Sequence, residues 1–367
     1  MTRIIISGGG TGGHIFPAIA IANALKAIEP DIEILFIGAK GRMEMEKVPA
    51  AGYKIQGLWI SGLQRRVTWK NLSFPFKVIF SLVMADRILA KFKPDVVIGV
   101  GGYASGPTLR IAVRRKIPAL IQEQNSYPGI TNKLLGGKVD KICVAYEGME
   151  RFFPAGKIIL TGNPVRQDII TPGNNTEALE HFQLNKEKKV VLIIGGSLGA
   201  GTINKSVLHY LYHQDEQDNF QLLWQTGKYH YNSIKSNQKI LNMEDVHVHP
   251  FIDRMDLAYT AADIIISRAG AIAISELCII GKPVILIPSP NVTEDHQTKN
   301  AEALVSKSAA LMLKDQDAVE KLFELVKSLA ADNGLQNDLS KHIKTMALPE
   351  SASVIAKETM KLIRKKE

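Results

Sequence analysis

The sequence contains little that would cross-link the chain or anchor it in a membrane. Only two cysteines occur among 367 residues, Cys143 and Cys278, and each lies in an apolar run without a cysteine or histidine at a metal-ligand spacing. We therefore expect two buried free thiols, and neither a disulfide framework nor a zinc site. The most apolar later stretch, residues 74–89, is interrupted by charges such as Lys77 and Asp86, so it is too short and too charged to span a bilayer.

The amino terminus lacks the pattern of a secretory signal. Residues 1–7 carry a single cation and a short apolar run, with no cleavage site, so no signal peptide is expected. The composition is that of a globular protein, with 46% hydrophobic and 22% charged residues and no low-complexity tract. The length is about twice that of a typical domain. We expect a soluble, cytoplasmic protein of two domains.

The positive charge of the chain is unevenly divided. Residues 1–163 contain 22 lysines and arginines against 11 acids, whereas residues 164–367 contain 23 against 25. A basic surface confined to one half attracts nucleic acid, anionic lipid or phosphorylated ligands. Nucleic acid is disfavoured because no recognised binding motif accompanies the charge.

A basic, aromatic-rich segment covers residues 60–93. It contains seven lysines and arginines and one acid, Asp86. Most of its apolar residues are expected in the core, but a basic amphipathic surface also suits peripheral contact with anionic lipid. The alternative is a purely structural helix. We assign the membrane contact to Arg65, Arg66, Trp69 and Lys70.

Short apolar runs alternate with helical patterns along both halves of the chain. Residues 3–7 read as a buried strand and residues 16–28 as a helix. The polar stretch 171–189 precedes a second strand and glycine loop that repeat the opening theme. Apolar strands separated by helices predict α/β architecture, with a parallel sheet covered on both faces in each half. We expect domains at 1–163 and 164–346 and a final helix within 347–367.

Three glycine-rich loops follow predicted strands, at residues 8–14, 99–107 and 195–200. Glycine loops that open helices suit phosphate, because helix N-termini present unpaired N–H groups and partial positive charge. One such loop could be an ordinary tight turn; three of them favour a shared ligand cleft at the carboxyl edge of the strands. The first loop matches G-x-G-x-x-G, but the acids of the next strand, Asp31 and Glu33, lie at its wrong end for a dinucleotide.

Three polar side chains follow predicted loops: His14, Glu276 and Gln297. His14 follows the first loop, where a neutral imidazole can take a proton from an attacking hydroxyl. Glu276 lies in the first turns of an apolar helix, either as a ligand of a ribose diol or as an acid favoured by the helix dipole. Gln297 follows the loop 288–290 and either contacts sugar hydroxyls or belongs to an ordinary helix start.

Seven motifs in order resemble one family. They are GGGTGGHIFPAIAIA, GGYASGP, EQNSYPG, TGNPVR, GGSLGA, SRAGAIAISE and DHQTKNA. Across essentially the whole chain the sequence resembles the UDP-N-acetylglucosamine–N-acetylmuramyl-(pentapeptide) pyrophosphoryl-undecaprenol N-acetylglucosamine transferases of peptidoglycan synthesis. The resemblance implies a GT-B fold, with two Rossmann-like lobes, an interdomain cleft and a last helix that returns to the first lobe.

The resemblance also implies an activity and its partners. GlcNAc moves from UDP-GlcNAc to the C4 hydroxyl of MurNAc in lipid I, giving lipid II and UDP with inversion, at the cytoplasmic face of the inner membrane. No cofactor is implied. A metal-independent reaction is expected, because helix-terminal amides can stabilise the leaving UDP and no Asp-x-Asp signature is placed to hold a metal-bound diphosphate.

Site residues follow position by position from the same resemblance. His14 matches the proposed catalytic base, Glu276 the ribose ligand and Gln297 a GlcNAc contact, while the backbone at Ile252 reads uracil. The donor contacts are Thr11, Gly12, Gly13, Asn125, Arg166, Ser197, Ile252, Ala271, Ile272, Ala273, Ile274, Ser275, Glu276 and Gln297. The acceptor diphosphate is assigned to Tyr103, Ala104, Ser105 and Gly106. Leu198 stands where the family often has glutamine, so no polar role is assigned there.

Three rival functions remain. A related transferase could glycosylate another lipid such as diacylglycerol, and a UDP-sugar epimerase could use the same architecture without an acceptor. A non-catalytic nucleotide-sugar sensor or membrane scaffold would not need His14.

Overall fold

The computed structural model describes residues 1–61, 74–170, 173–196, 198–213, 218–241, 243–292 and 295–364. The described residues form two compact units. One unit comprises Met1–Arg166 with Leu348–Glu367, and the other comprises Gln167–Ala347. Each unit is built on one parallel sheet.

The first unit has a seven-stranded sheet in the order β3-β2-β1-β4-β5-β6-β7, with every neighbouring pair parallel. The strands are β1 (Arg3–Ser7), β2 (Glu33–Ala39), β3 (Lys54–Leu58), β4 (Val96–Gly99), β5 (Ala119–Glu123), β6 (Lys141–Val144) and β7 (Ile158–Leu160). The strand order reverses between β1 and β4, which is where ligands bind in doubly wound sheets.

Helices cover both faces of this sheet. They are α1 (Gly12–Ile28), α2 (Glu44–Ala50), α3 (Phe74–Phe92), α4 (Ser105–Arg114), α5 (Ile130–Gly136) and, at the end of the chain, α16 (Ser351–Arg364). Successive β1 side chains point to opposite faces. Ile4 and Ile6 therefore join the buried cluster that contains residues of α1 and α16, while Ile5 joins the cluster beneath α3 and α4.

The second unit has a six-stranded parallel sheet in the order β10-β9-β8-β11-β12-β13. Its strands are β8 (Lys189–Ile194), β9 (Phe220–Gln225), β10 (Val246–His249), β11 (Ile264–Ser267), β12 (Val284–Leu286) and β13 (Leu311–Met312). The order reverses between β8 and β11, so the loops after these two strands flank the second unit's own binding edge.

Ten helices of the second unit lie within the described ranges. They are α6 (Gln167–Ile170), α7 (Asn175–Phe182), α8 (Gly201–His213), α9 (Lys228–Lys235), α10 (Gln238–Leu241), α11 (Met255–Ala261), α12 (Ala271–Ile280), α13 (His296–Val305), α14 (Ala318–Ala331) and α15 (Asn333–Thr345). The α/β class with two doubly wound parallel sheets, predicted from the alternating pattern, is confirmed.

Several details differ from the sequence prediction. Helix α1 begins at Gly12, inside the glycine motif, rather than at Phe16. Strand β3 was not predicted, because its five residues KIQGL lack an apolar run; Lys54 and Gln56 are exposed at the sheet edge.

Both cysteines are free and buried, as expected. Burial is the main cause that raises the pKa of each thiol to about 12. None of the helices within the described ranges combines the length and the apolar character that a membrane span requires.

Candidate functional site

The first unit places two glycine loops at the point where its strand order reverses. One loop connects β1 to α1, and the other connects β4 to α4. The chain enters α1 through Thr11, which has an extended backbone (φ −144°, ψ 159°) and caps a helix whose first two residues are Gly12 and Gly13. By helix geometry the first N–H groups of α1 have no intrahelical partner, so this end can receive an anion.

His14 is the third residue of α1, and its ring is fixed by contacts with the loop before it. Its Nδ1 lies 3.1 Å from the carbonyl oxygen of Gly9 and 3.2 Å from Oγ1 of Thr11. A carbonyl oxygen can only accept, so the bond to Gly9 requires Nδ1 to carry the proton. In the neutral ring Nε2 then carries the lone pair, which is the state a general base needs.

The loop after β4 packs directly against the His14 ring. Gly101 has φ +92°, and a Cβ placed there would lie 2.8 Å from both Cδ2 and Nε2 of His14 and 3.6 Å from Oε1 of Gln124. Gln124 is buried, and its Nε2 donates to the carbonyl of Val100 at 2.7 Å. The absence of a side chain at Gly101 therefore makes room for the imidazole.

The segment assigned to the acceptor diphosphate lies at the start of α4. Tyr103 is half-exposed, whereas Ala104 and Ser105 are buried. Gly106 lies in the first turn of the helix. Of these side chains, that of Tyr103 is the one exposed to solvent.

Asn125 belongs to a loop that is organised by a buried acid, Glu123. One oxygen of Glu123 accepts from the Asn125 backbone N–H at 2.9 Å and from its side chain at 3.3 Å. The other oxygen accepts from the Gly129 N–H at 3.1 Å and from Nδ2 of Asn132 at 2.8 Å. Burial raises the pKa of Glu123, and these hydrogen bonds oppose that shift. Arg166, the remaining predicted donor contact of this unit, is exposed.

The second unit's glycine loop follows β8. Ser197, the predicted contact in this loop, lies outside the described residues. Gln225, at the end of β9, joins the loop to the predicted uracil segment: its Nε2 donates to the carbonyl of Gly196 at 3.0 Å, and its Oε1 accepts from the N–H of Ile252 at 2.9 Å. The N–H of Ile252 is therefore engaged within the unit.

Helix α12 carries the longest run of predicted donor contacts. Gly270, with an extended backbone, precedes its first residue, Ala271. The helix holds Ala271, Ile272, Ala273, Ile274, Ser275 and Glu276. Ile274 is buried, so only its backbone can contact a ligand, while Glu276 is partly exposed and accepts from the hydroxyl of Tyr259 at 3.1 Å.

Gln297 lies in the first turn of α13. Its Oε1 accepts from the backbone N–H of Ser289 at 2.9 Å, which ties the helix to the loop after β12. Because Oε1 of Gln297 accepts this bond, the side-chain amide is oriented and its NH₂ group is the one that can donate to a ligand hydroxyl.

One Asp-x-Asp pair occurs in the chain, at 315–317. Asp315 is engaged within the unit: it pairs with Arg268 at 2.5 Å and accepts from the hydroxyl of Thr202 at 2.8 Å. Arg268 also donates to the carbonyl of Ile287 at 3.0 Å. These contacts link the loops after β11 and β12.

The predicted membrane contacts Arg65, Arg66, Trp69 and Lys70 lie outside the described residues. Helix α3, which follows them, has an apolar exposed stripe formed by Phe76, Ile79, Phe80 and Val83. Asp86, the one acid of the segment, is bonded to Arg115, which is the main cause that lowers its pKa to about 2, and also to Arg114. Its negative charge is therefore balanced by Arg114, the last residue of α4, and by Arg115, which follows it.

Four residues of this arrangement were not predicted from the sequence. Glu44, Glu123, Gln225 and Tyr259 are buried. Glu44 accepts from the N–H of Gly10 in the first glycine loop, and the bonds of the other three are described above. The sequence around them gives no common signal: residues 42–47 around Glu44 and residues 122–125 around Glu123 are largely polar.

Comparison with protein families gives two matches that together cover most of the chain. Residues 4–144 match the glycosyltransferase family 28 N-terminal domain, and residues 190–355 match the glycosyltransferase family 28 C-terminal domain.

Two curated relatives carry the name UDP-N-acetylglucosamine–N-acetylmuramyl-(pentapeptide) pyrophosphoryl-undecaprenol N-acetylglucosamine transferase. The protein from Parabacteroides distasonis is 55% identical over 370 residues, which cover 99% of each chain. The protein from Flavobacterium psychrophilum is 54% identical over 365 residues, which cover 98% of each chain. Among solved structures, Acinetobacter baumannii MurG superposes with a TM-score of 0.80 at 26% identity, covering 98% of this chain and 100% of that one.

Proposed function

This chain belongs to the UDP-N-acetylglucosamine–N-acetylmuramyl-(pentapeptide) pyrophosphoryl-undecaprenol N-acetylglucosamine transferases of glycosyltransferase family 28, and we propose that it converts lipid I to lipid II. It is a hexosyltransferase with a GT-B fold. GlcNAc passes from UDP-GlcNAc to the C4 hydroxyl of MurNAc, and UDP is released. The observation that carries the proposal is the match over 99% of the chain to a relative of that name.

We propose that the second unit binds the nucleotide sugar. The start of α12 receives the diphosphate, because the helix dipole favours an anion at the N-terminus of a helix. Glu276 accepts from the ribose hydroxyls, and its bond from Tyr259 supports this by fixing the carboxylate. The amide nitrogen of Gln297 donates to a GlcNAc hydroxyl, and the backbone at Ile252 contacts uracil.

The first unit supplies the base and binds the acceptor. The C4 oxygen of MurNAc attacks C1 of GlcNAc while the bond from C1 to UDP breaks. The electron pair of that bond leaves on the β-phosphate, and the hydroxyl proton passes to Nε2 of His14. Attack opposite the leaving group inverts the anomeric centre from α to β. The assignment of Nε2 is supported by the bond from Nδ1 to Gly9.

The negative charge that develops on UDP is stabilised by oriented N–H groups of the protein. Thr11, Gly12 and Gly13 at the start of α1 are assigned to the donor, and Tyr103 is assigned to the acceptor diphosphate. We propose no cofactor, because UDP-GlcNAc enters as a substrate.

We further propose that the protein is peripheral, bound to the anionic cytoplasmic face of the inner membrane, where its lipid-linked acceptor resides. The exposed stripe of α3 supports this contact, since Phe76 is 70% exposed and Ile79 is 60% exposed. Large apolar side chains at this exposure are usual where a surface meets lipid or a partner. The basic residues Arg65, Arg66 and Lys70 precede the stripe and add attraction to anionic headgroups.

Vesicle co-sedimentation tests the membrane proposal. We expect binding to vesicles containing anionic phospholipid that weakens as salt rises, and weaker binding for reversal of Arg65, Arg66 and Lys70 or for Phe76→Ser. Tyr229→Ser removes an aromatic ring that is 79% exposed in the second unit and serves as the matched control. Equal binding of all variants would contradict the proposal.

A transfer assay with labelled UDP-GlcNAc tests the function itself. We expect a labelled disaccharide lipid from a lipid I analogue, and a fall in kcat of roughly 10²–10⁴-fold for His14→Ala with UDP binding retained. Product from diacylglycerol alone would favour the transferase of another lipid. Free sugar released without an acceptor would favour an epimerase, and undiminished turnover by His14→Ala would remove the base assignment.

A further inference from the structure

Glu44 is a buried acid whose role does not follow from the family's motifs. It is the first residue of α2, and only 1% of it is exposed. Both of its oxygens accept from backbone groups: Oε1 from the N–H of Ala39 and Oε2 from the N–H of Gly10, each at 2.9 Å. The carboxylate therefore joins the end of β2 to the glycine loop that leads to His14.

Two glycines provide the space for this carboxylate. A Cβ at Gly9, which has φ +146°, would lie 2.2 Å from Oε1 of Glu44, and a Cβ at Gly38 would lie 2.5 Å from its Cγ. Real Cβ atoms do not approach other atoms so closely, so neither position accepts a side chain while Glu44 occupies this site. Glycine at positions 9 and 38 is therefore required by the buried side chain of Glu44.

The hydrogen bonds of Glu44 and His14 meet at one peptide group. Nδ1 of His14 lies 3.1 Å from the carbonyl oxygen of Gly9, and the N–H of Gly10 donates to Glu44 at 2.9 Å. These two groups are the C=O and N–H of the same planar, resonance-stabilised amide. A charged acceptor on the N–H polarises the amide and strengthens its carbonyl as an acceptor.

We propose that Glu44 is a positioning residue for His14 that acts through the peptide between Gly9 and Gly10. The carboxylate favours the tautomer with the proton on Nδ1 and keeps the lone pair on Nε2. When Nε2 takes a proton, the ring becomes a cation, and the polarised carbonyl of Gly9 stabilises that cation. The catalytic meaning of this arrangement rests on the proposed function, whereas the tautomer does not.

NMR of the full-length protein labelled with ¹⁵N-histidine tests the tautomer without an activity assay. A two-bond ¹H–¹⁵N correlation distinguishes the protonated ring nitrogen from the unprotonated one, and His14→Gln identifies the signals of residue 14. We expect the proton on Nδ1 in the unaltered protein near neutral pH. A proton on Nε2 would overturn the proposal, whether or not any variant folds.

Glu44→Gln tests the influence of the carboxylate. One oxygen becomes an NH₂ group that cannot accept from a backbone N–H. We expect a mixture of His14 tautomers and a fall in kcat of roughly 10- to 100-fold, less than the ~10²–10⁴-fold effect of a base itself, with the KM for UDP-GlcNAc within about twofold. Glu46→Gln is the control, since Glu46 is exposed on the same helix, and should change neither quantity.

The outcomes separate this proposal from the proposed function. A fall in kcat for Glu44→Gln with the His14 tautomer unchanged would show a merely structural role and overturn the proposal. The expected tautomers together with no transfer to a lipid I analogue would contradict the function and leave the role of Glu44 intact.

Discussion

The packing of Gly101 against His14 predicts a specific consequence of adding one methyl group. In Gly101→Ala the new Cβ would lie 2.8 Å from Cδ2 and Nε2 of the imidazole. The ring must move, because that distance is shorter than real Cβ contacts. Movement of the ring weakens its bond to the carbonyl of Gly9 and displaces the nitrogen that accepts the proton.

The expected magnitude has two parts. A non-glycine residue at φ +92° costs about 1–3 kcal/mol of stability. A base displaced by about 1 Å costs roughly 10²-fold in kcat. The KM for UDP-GlcNAc should change less than kcat, since Glu276 and Gln297, the predicted ribose and GlcNAc contacts, lie in the second unit.

Gly52→Ala is the matched control for this substitution. Gly52 has φ +85°, and a Cβ there meets no atom within 4 Å, so it reproduces the backbone strain without a contact to His14. Thermal unfolding should show similar losses of stability for both variants. The labelled transfer assay should show a large fall in kcat for Gly101→Ala alone. Near-normal turnover by Gly101→Ala would refute the assignment of His14 as the base.

Three further predictions concern the second unit. Tyr259→Phe removes the hydroxyl that donates to Glu276, so calorimetry should show UDP-GlcNAc affinity weakened by about 1 kcal/mol, whereas unchanged affinity would contradict the ribose assignment. Gln225→Leu leaves the carbonyl of Gly196 and the N–H of Ile252 without their partner, which should lower the free energy of unfolding by about 1–3 kcal/mol for each group. The urea concentration at the unfolding midpoint should therefore fall, and an unchanged midpoint would contradict the role of Gln225 in joining the two segments. Burial is the main cause that lowers the pKa of His247 and His249 below 6.5 in the folded protein. The unfolded chain therefore binds more protons, and the free energy of unfolding should fall as pH falls below about 6.5. His249→Gln should lose less stability on acidification than the unaltered protein, and an equal loss would contradict this assignment.

The sheets were predictable because burial on both faces leaves a strong signal. Strand β1 contains the apolar run III and strand β8 the run VVLII, and a glycine loop begins within two residues of each run, which is the pattern of buried parallel strands. The start of α1 was less predictable, because Gly12 and Gly13 have poor helix propensity. Edge strand β3 lacked the signal altogether, since its exposed face tolerates lysine and glutamine.

The candidate site also contains residues that could be predicted from the sequence and residues that could not. His14, Glu276 and Gln297 stand next to glycine or proline loops, and a chemical reason for each can be given from the sequence. Glu44 and Gln225 cannot be found in this way, because their partners are backbone groups far along the chain. Such partners become neighbours only after the strands have paired, and no local pattern encodes them.

We propose that oriented N–H groups at the start of α12 and the carboxylate of Glu276 hold the nucleotide. A crystal structure of the protein with UDP-GlcNAc tests this most directly. We expect the diphosphate at Gly270 and Ala271, with the ribose hydroxyls within hydrogen-bond distance of Glu276. A nucleotide bound elsewhere, with Glu276 still paired only within the protein, would contradict the account.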